Sequence, residues 1–84
     1  MEKRYKIIVA VDVHCPVEGD MVPTAITWED GTIYLIDRVL DVRRAASLKA
    51  GGQGLRYTVR IRGKERYLWY DLGDNPHWFV EARD

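Results

Sequence analysis

Two short glycine-containing turns interrupt runs of alternating residues, and this combination constrains the fold more than any other feature of the chain. Asp30-Gly31 separates residues 24–29 from residues 32–37, and Gly63-Lys64 separates residues 55–62 from residues 65–71. Alternation of apolar and polar residues is typical of strands that bury one face. Both dipeptides suit the positive φ angles of two-residue type I′ or II′ turns. The sequence therefore predicts two antiparallel β-hairpins.

The predicted turns also fix which residues face one another across each hairpin. In the first hairpin, a two-residue turn places Trp28 opposite Ile33 and Ile26 opposite Leu35, so these four side chains share one apolar face. The same reasoning gives the second hairpin a buried face. Its predicted members are Leu55, Tyr57, Val59, Ile61, Leu68 and Tyr70.

Further strands are predicted on either side of the hairpins. The first strand alternates from Tyr5 to Cys15, with the odd-numbered set buried, and a last strand covers residues 77–83 after the turn cluster at 73–76. Residues 37–50 fit two structures: a strand to about Val42 followed by a loop or short helical turn, which we favour, or a helix that begins at Asp37. We expect a mainly β fold, a small rolled antiparallel sheet or barrel of about five to six strands, with one short helix within 38–50 as the alternative.

Length and composition indicate one soluble domain. The chain has 84 residues, of which 46% are hydrophobic and 31% charged, so residues 1–84 are expected to form a single β domain. Cys15 is the single cysteine, which excludes an intramolecular disulfide and favours a reducing compartment. No run approaches the roughly 20 apolar residues that cross a bilayer. We therefore expect a cytoplasmic protein that does not bind a membrane.

The order of apolar and aromatic residues resembles that of a known group of domains. The pattern comprises Val11-x-Val13, a glycine-containing loop, Pro23, Ile26-x-Trp28, Asp30-Gly31, Tyr34-x-Ile36, Val39-Leu40, Arg56-Tyr57-x-Val59, Tyr67-x-Trp69 and Trp78-x-Val80. It is similar to a family of small uncharacterised bacterial β domains, some encoded near error-prone translesion DNA polymerases. The resemblance covers residues 7–83 and implies a fold and a DNA-repair context, but no residue roles.

No catalytic or metal-binding signature is present in the sequence. His14 and Cys15 are adjacent on a predicted strand and point to opposite faces, so His14 is badly placed as a base for Cys15, which we expect to be a small core residue. A zinc site needs about four ligands, and these two residues with His77 supply at most three. The glycine-rich segment 49–54 lacks the residue order of a phosphate-binding P-loop. We expect a protein that is not an enzyme and holds no metal or cofactor.

The charge pattern gives the main candidate for a binding site. Residues 43–66 carry a net charge of +7, whereas residues 1–42 carry −4 and residues 67–84 carry −3. The polar face of the second hairpin combines arginines with aromatic rings, a combination that suits the phosphates and bases of single-stranded nucleic acid. The candidate residues are Arg56, Arg60, Arg62, Tyr67 and Trp69.

A second interpretation leaves these arginines satisfied within the hairpin. The predicted register pairs Arg62 with Glu65, Arg56 with Asp71 and Arg60 with Tyr67. We weigh this self-paired face above nucleic-acid binding, so the sequence favours a small binding or interaction module of otherwise undefined function, with single-stranded nucleic acid as the alternative ligand.

A protein partner or self-association is also compatible with the sequence. If the 73–76 loop places Leu72 opposite His77, Trp78 joins Tyr67 and Trp69 in an outward-facing aromatic patch. A loop that differs in length by one residue turns Trp78 inward and removes that patch.

Overall fold

The structure, a computed structural model, describes residues 4–45 and 53–83. The described residues form seven β-strands and no helix, and thus nothing that could cross a membrane as an apolar helix. The strands are β1 (Arg4–His14), β2 (Val22–Thr27), β3 (Ile33–Leu35), β4 (Arg38–Arg44), β5 (Gly54–Ile61), β6 (Lys64–Asp71) and β7 (His77–Arg83). The expectation of a rolled antiparallel β fold is confirmed, whereas the predicted count of five to six strands is wrong.

The additional strand arises because residues 33–44 change partners midway. The strands form one antiparallel sheet in the order β3-β2-β1-β7-β6-β5-β4, so β3 and β4 lie at opposite edges although two residues separate them in sequence. At the junction, the Ile36 amide donates to the Thr24 carbonyl of β2, and the Asp37 amide donates to the Arg60 carbonyl of β5. This short connection can join the two edges only because the sheet curls into a half-barrel.

The ambiguous segment is a strand where the structure describes it. Residues 38–44 pair with β5, and an irregularity between Val39 and Asp41 lets both Val39 and Val42 pack against the core. The predicted strand is confirmed over this range, and no helix forms there. The remainder of the possible helix, residues 46–50, lies outside the described residues.

One core fills the concave side of the curled sheet, which we call the inner face. Tyr57, Val59 and Leu68 are fully buried there, with Val9 and Ile26 beside them. The Tyr57 hydroxyl donates to the Met21 carbonyl, 36 residues away, at 2.8 Å and so ties β5 to the loop before β2. Burial raises the pKa of Tyr57 to about 12, and the nearby Asp20 carboxylate adds to that effect.

The first hairpin forms with a different loop from the one predicted. Ile26 lies opposite Tyr34, and the Trp28 amide donates to the Thr32 carbonyl, so the loop has three residues instead of two. Among the loop residues Gly31 has the positive φ, +89°, which is typical of a type I turn followed by a left-handed glycine. Because a shift of one residue exchanges the faces of a strand, Ile33 points outward and Tyr34 points inward, the reverse of the prediction.

The second hairpin also has a shifted register, but its faces are as predicted. Arg62 and Gly63 both have positive φ and form the two-residue turn, which therefore begins one residue earlier than the predicted Gly63-Lys64 turn. Tyr57 consequently lies opposite Leu68. The shift of two positions preserves the parity of the strand, so the predicted buried set packs into or against the core.

The last turn places Trp78 on the inner face. Asp71 pairs with His77 and Tyr70 with Trp78, one position away from the pairing that would have created an aromatic patch. The Trp78 ring packs against those of Tyr57 and Tyr70, with centroid distances of 5.2 and 4.7 Å. The outward-facing patch centred on Trp78 is therefore absent from this sheet, and Phe79 takes the outer position beside Trp69.

Candidate functional site

Four of the five candidate residues share the outer, convex face of the sheet. Arg56 and Arg60 lie on β5, and Tyr67 and Trp69 lie on β6 at positions of the same parity. Tyr67 is 54% exposed, whereas Trp69 is only 8% exposed and is unavailable as a platform for a ligand ring. Arg62 lies in the turn, where its guanidinium stacks over the Tyr34 ring at 5.1 Å.

The register changes the cross-strand neighbours that the sequence suggested for these arginines. Arg56 lies opposite Trp69 and not Asp71, and Arg60 lies opposite Glu65 and not Tyr67. Those predicted partners were wrong because they assumed a Gly63-Lys64 turn. The Arg56 guanidinium instead stacks over the Tyr67 ring at 4.6 Å, and its Nε atom is buried without a hydrogen-bond partner among the described residues. Such a buried donor is rare unless something else completes its bonding.

The structure adds two arginines from β4 to this face. Arg38 lies directly opposite Arg60, and Arg43 lies directly opposite Arg56. We call Arg38, Arg43, Arg56, Arg60 and Tyr67 the arginine face. The sequence did not point to the β4 members because residues 37–50 fitted two structures, although Asp41-Val42-Arg43 alternates polar and apolar residues as a strand does.

Like charges thus face each other across two neighbouring strands. Directly opposed like charges destabilise a sheet by several tenths of a kcal/mol to about 1 kcal/mol. Of the arginine face, Arg43 alone forms an ion pair within the described residues: its Nε contacts the Asp41 carboxylate at 2.7 Å, which raises the pKa of Arg43. Arg38, Arg56 and Arg60 have no carboxylate within 4.0 Å in that part of the chain. The positive charge of the arginine face is therefore only partly neutralised by the acidic residues of the same chain that the structure describes.

A second cluster continues the outer face beside the arginine face. The Trp69 and Phe79 rings stack with a centroid distance of 6.0 Å, and Lys6 lies over Phe79 at 4.7 Å. The Asp71 carboxylate lies 4.0 Å from both the Lys6 amine and the His77 Nε2. This cluster is mostly buried, and the Asp71 carboxylate lies close to its basic groups. It therefore supports the sheet and offers little surface to a ligand.

The residues considered for thiol or metal chemistry do not come together. Cys15 is exposed, so the expectation that it packs in the core is wrong: β1 ends at His14, and Cys15 begins the following loop. His77 lies on β7, away from His14 and Cys15, and its Nδ1 donates to the Asn75 carbonyl at 2.7 Å. Across residues 4–45 and 53–83, no three histidine, cysteine, aspartate or glutamate side chains are grouped to hold a metal ion.

Comparison of the chain with family models, curated proteins and solved structures found no significant match. The functional argument therefore depends on the geometry and charge of the described residues.

Proposed function

We propose that this chain is a cytoplasmic binding module without catalytic activity and that its arginine face binds single-stranded nucleic acid. The observation that carries the proposal is the pair of arginine–arginine oppositions, Arg38 with Arg60 and Arg43 with Arg56. An anionic ligand converts this unfavourable arrangement into a favourable one, because each phosphate offsets the charge of the guanidinium groups around it.

The aromatic component favours a nucleic acid over a simple anion. Tyr67 is more than half exposed and is held in place by the Arg56 guanidinium, which stacks on its ring. An exposed ring beside several arginines allows a base to stack while the phosphates contact the guanidinium groups. Trp69 is buried on the same strand and takes no direct part in this contact.

The shape of the surface favours single strands over duplexes. The arginine face lies on three adjacent strands, β4 to β6, with no helix among the described residues that could enter a major groove. Sheet surfaces with exposed rings commonly bind unstacked single strands. The resemblance to domains encoded near translesion polymerases agrees with this ligand, since DNA repair exposes single strands.

The direct test is a titration of the whole chain with poly-dT and poly-rU at several salt concentrations. Four arginines at phosphates predict a slope of log K against log salt of about −3, because each contact to a single strand contributes about −0.7. Backbone NMR shifts are expected at residues of β4, β5 and β6 on the outer face. Absence of binding at high micromolar nucleic acid and low salt would overturn the proposal.

Matched variants separate the arginine face from general positive charge. Arg60→Ala should weaken binding and make the slope shallower by about 0.7. Arg66→Ala removes the same charge from β6, but Arg66 lies opposite Val59 on the other side of the sheet. Equal losses from both variants would show that binding does not use the arginine face. Tyr67→Leu should lower affinity without changing the slope, because it removes stacking and no charge.

A further inference from the structure

The outer face at the opposite edge of the sheet is apolar and uncovered. Ile8, Ile33 and Leu35 are 64%, 59% and 69% exposed. Across the strands, Ala10, Thr27 and Ile33 form one row, and Asp12, Ala25 and Leu35 form the next. Ile33 and Leu35 lie on the edge strand β3, and Ile8 lies on β1, with β2 between these two strands. Large aliphatic side chains exposed on an edge strand often mark a contact surface.

The surroundings of this patch are strongly acidic. Residues 10–37, which we call the acidic flank, contain six aspartate or glutamate residues and no lysine or arginine. Residues 38–45 and 53–66, which we call the basic flank, contain eight lysine or arginine residues and two acidic ones. The two flanks contain opposite edges of the sheet, because β2 and β3 belong to the first and β4 and β5 to the second.

We propose that the acidic flank of one molecule binds the basic flank of a second copy, with Ile33 and Leu35 in the contact. The whole chain has a net charge of zero, so general repulsion between copies is weak, and the two flanks are complementary in sign. A two-fold arrangement that pairs acidic flank with acidic flank brings six carboxylates against six and is disfavoured. The contact therefore joins two different surfaces of the chain, either head to tail or reciprocally about a two-fold axis.

The size of the patch makes this association weak and reversible. A stable interface buries about 1,200–2,000 Å² in total, and three aliphatic side chains contribute only a fraction of that area. The charges of the flanks supply orientation and an association rate that falls with salt. A head-to-tail contact that does not close a ring adds further copies as concentration rises.

Sedimentation velocity over a protein concentration series tests the proposal. The wild-type mass should increase with concentration at low salt and return toward the monomer at higher salt. The double variant Ile33→Thr with Leu35→Thr should weaken association at least about tenfold, since both side chains are exposed and their replacement leaves the core intact. Val17→Thr is the matched control: Val17 is fully exposed in the loop after β1 and should have no effect. A monomer at every concentration, or equal effects of these variants, would overturn the proposal.

A mixing experiment tests whether the contact pairs opposite flanks. Glu29→Lys and Arg38→Glu alter exposed residues, one on each flank, and each variant alone should associate more weakly than the wild type. A mixture of the two should recover association, because each variant then meets a complementary flank on the other. Tighter association of Glu29→Lys alone would indicate an acidic–acidic contact and contradict the proposal. Neither measurement contains nucleic acid. A lack of self-association would therefore overturn this proposal without bearing on nucleic-acid binding by the arginine face.

Discussion

The two flanks of this sheet share one core but present different outer surfaces. On the basic flank, Tyr57 and Val59 are fully buried while the outer positions of the same strand hold Arg56 and Arg60. On the acidic flank, Ile26 is buried while the outer positions of the neighbouring strand hold exposed Ile33 and Leu35. Folding around the inner core specifies the inner face of every strand, whereas the outer face is free to differ outside the buried cluster of Trp69 and Phe79. The outer residues are therefore where binding is specified.

The largest expected effect on the free energy of unfolding comes from Tyr57, which joins the two flanks. Tyr57→Ala empties a fully buried ring position and removes the hydrogen bond to Met21, so it should cost about 3–5 kcal/mol. That loss is a large fraction of the stability of a domain of this size. Tyr57→Phe retains the ring and should cost about 0.5–1.5 kcal/mol. Urea unfolding measures both, and a similar cost for the two variants would mean that the hydroxyl, not the ring, holds the flanks together.

Alkaline pH provides a related test of the same side chain. The pKa of Tyr57 is raised to about 12 by burial, whereas an unfolded tyrosine ionises near pH 10. The stabilising contribution is therefore complete below about pH 10 and is lost as the pH rises towards 12, because the unfolded state releases its proton first. The free energy of unfolding should fall over this range in the wild type and fall less steeply in Tyr57→Phe. Identical pH profiles would contradict the burial of the hydroxyl.

The next effect tests the register of the acidic flank. With the three-residue loop, Ile26→Ala should cost about 2–5 kcal/mol, because Ile26 is buried. Ile33→Thr should change stability by less than about 0.5 kcal/mol, because Ile33 is exposed and threonine is suited to a strand. The two-residue turn expected from Asp30-Gly31 places both residues in the core. If thermal or urea unfolding showed that Ile33→Thr lowers the free energy of unfolding by about 1 kcal/mol or more, the register of the two-residue turn would be favoured instead.

These two hairpins show how far the sequence could predict the fold. Alternation identified the strands and the sheet class, and the buried set of the second hairpin was correct although its register was two positions off. An Asp-Gly pair fits a type I′ turn and also a type I turn with a left-handed glycine, and these differ by one residue. A difference of one residue exchanges the faces, which is why Ile33 was misplaced. Trp78 depended on the length of its preceding loop in the same way.

The candidate site was predictable in part for the same reason. The parity of β5 and β6 was correct, so Arg56, Arg60, Tyr67 and Trp69 do share a face. Their partners could not be predicted, because an error of two positions preserves the face but changes every cross-strand neighbour. Arg38 and Arg43 depended on pairing between strands that the sequence does not connect by a tight turn. Such pairings are set by the curl of the whole sheet, which local patterns do not encode.

The smallest effect concerns the turn of the basic flank. Arg62 has a φ of +51° at the first central position of a type I′ turn, where a residue other than glycine, asparagine or aspartate is strained. Relief of this strain in Arg62→Asn should therefore raise the free energy of unfolding by about 0.5–1 kcal/mol. Loss of the contact between the Arg62 guanidinium and the Tyr34 ring offsets part of that gain. Asp30→Asn in the other hairpin should give no such gain, because Asp30 has an ordinary φ and accepts a hydrogen bond from Thr32. Unfolding curves of the two variants give the comparison.

The central claim is that the outer face of the basic flank carries like charges that its own acids do not offset. Its most direct test is the free energy of unfolding of the wild type, Arg38→Gln and Arg66→Gln at about 0.01 M and about 0.15 M salt, between which the screening length falls from about 30 to about 8 Å. At low salt Arg38→Gln should be more stable than the wild type by several tenths of a kcal/mol, and the gain should shrink at higher salt, while Arg66→Gln shows no such gain. A loss of stability in Arg38→Gln at low salt would show that its charge is already compensated and would contradict the claim.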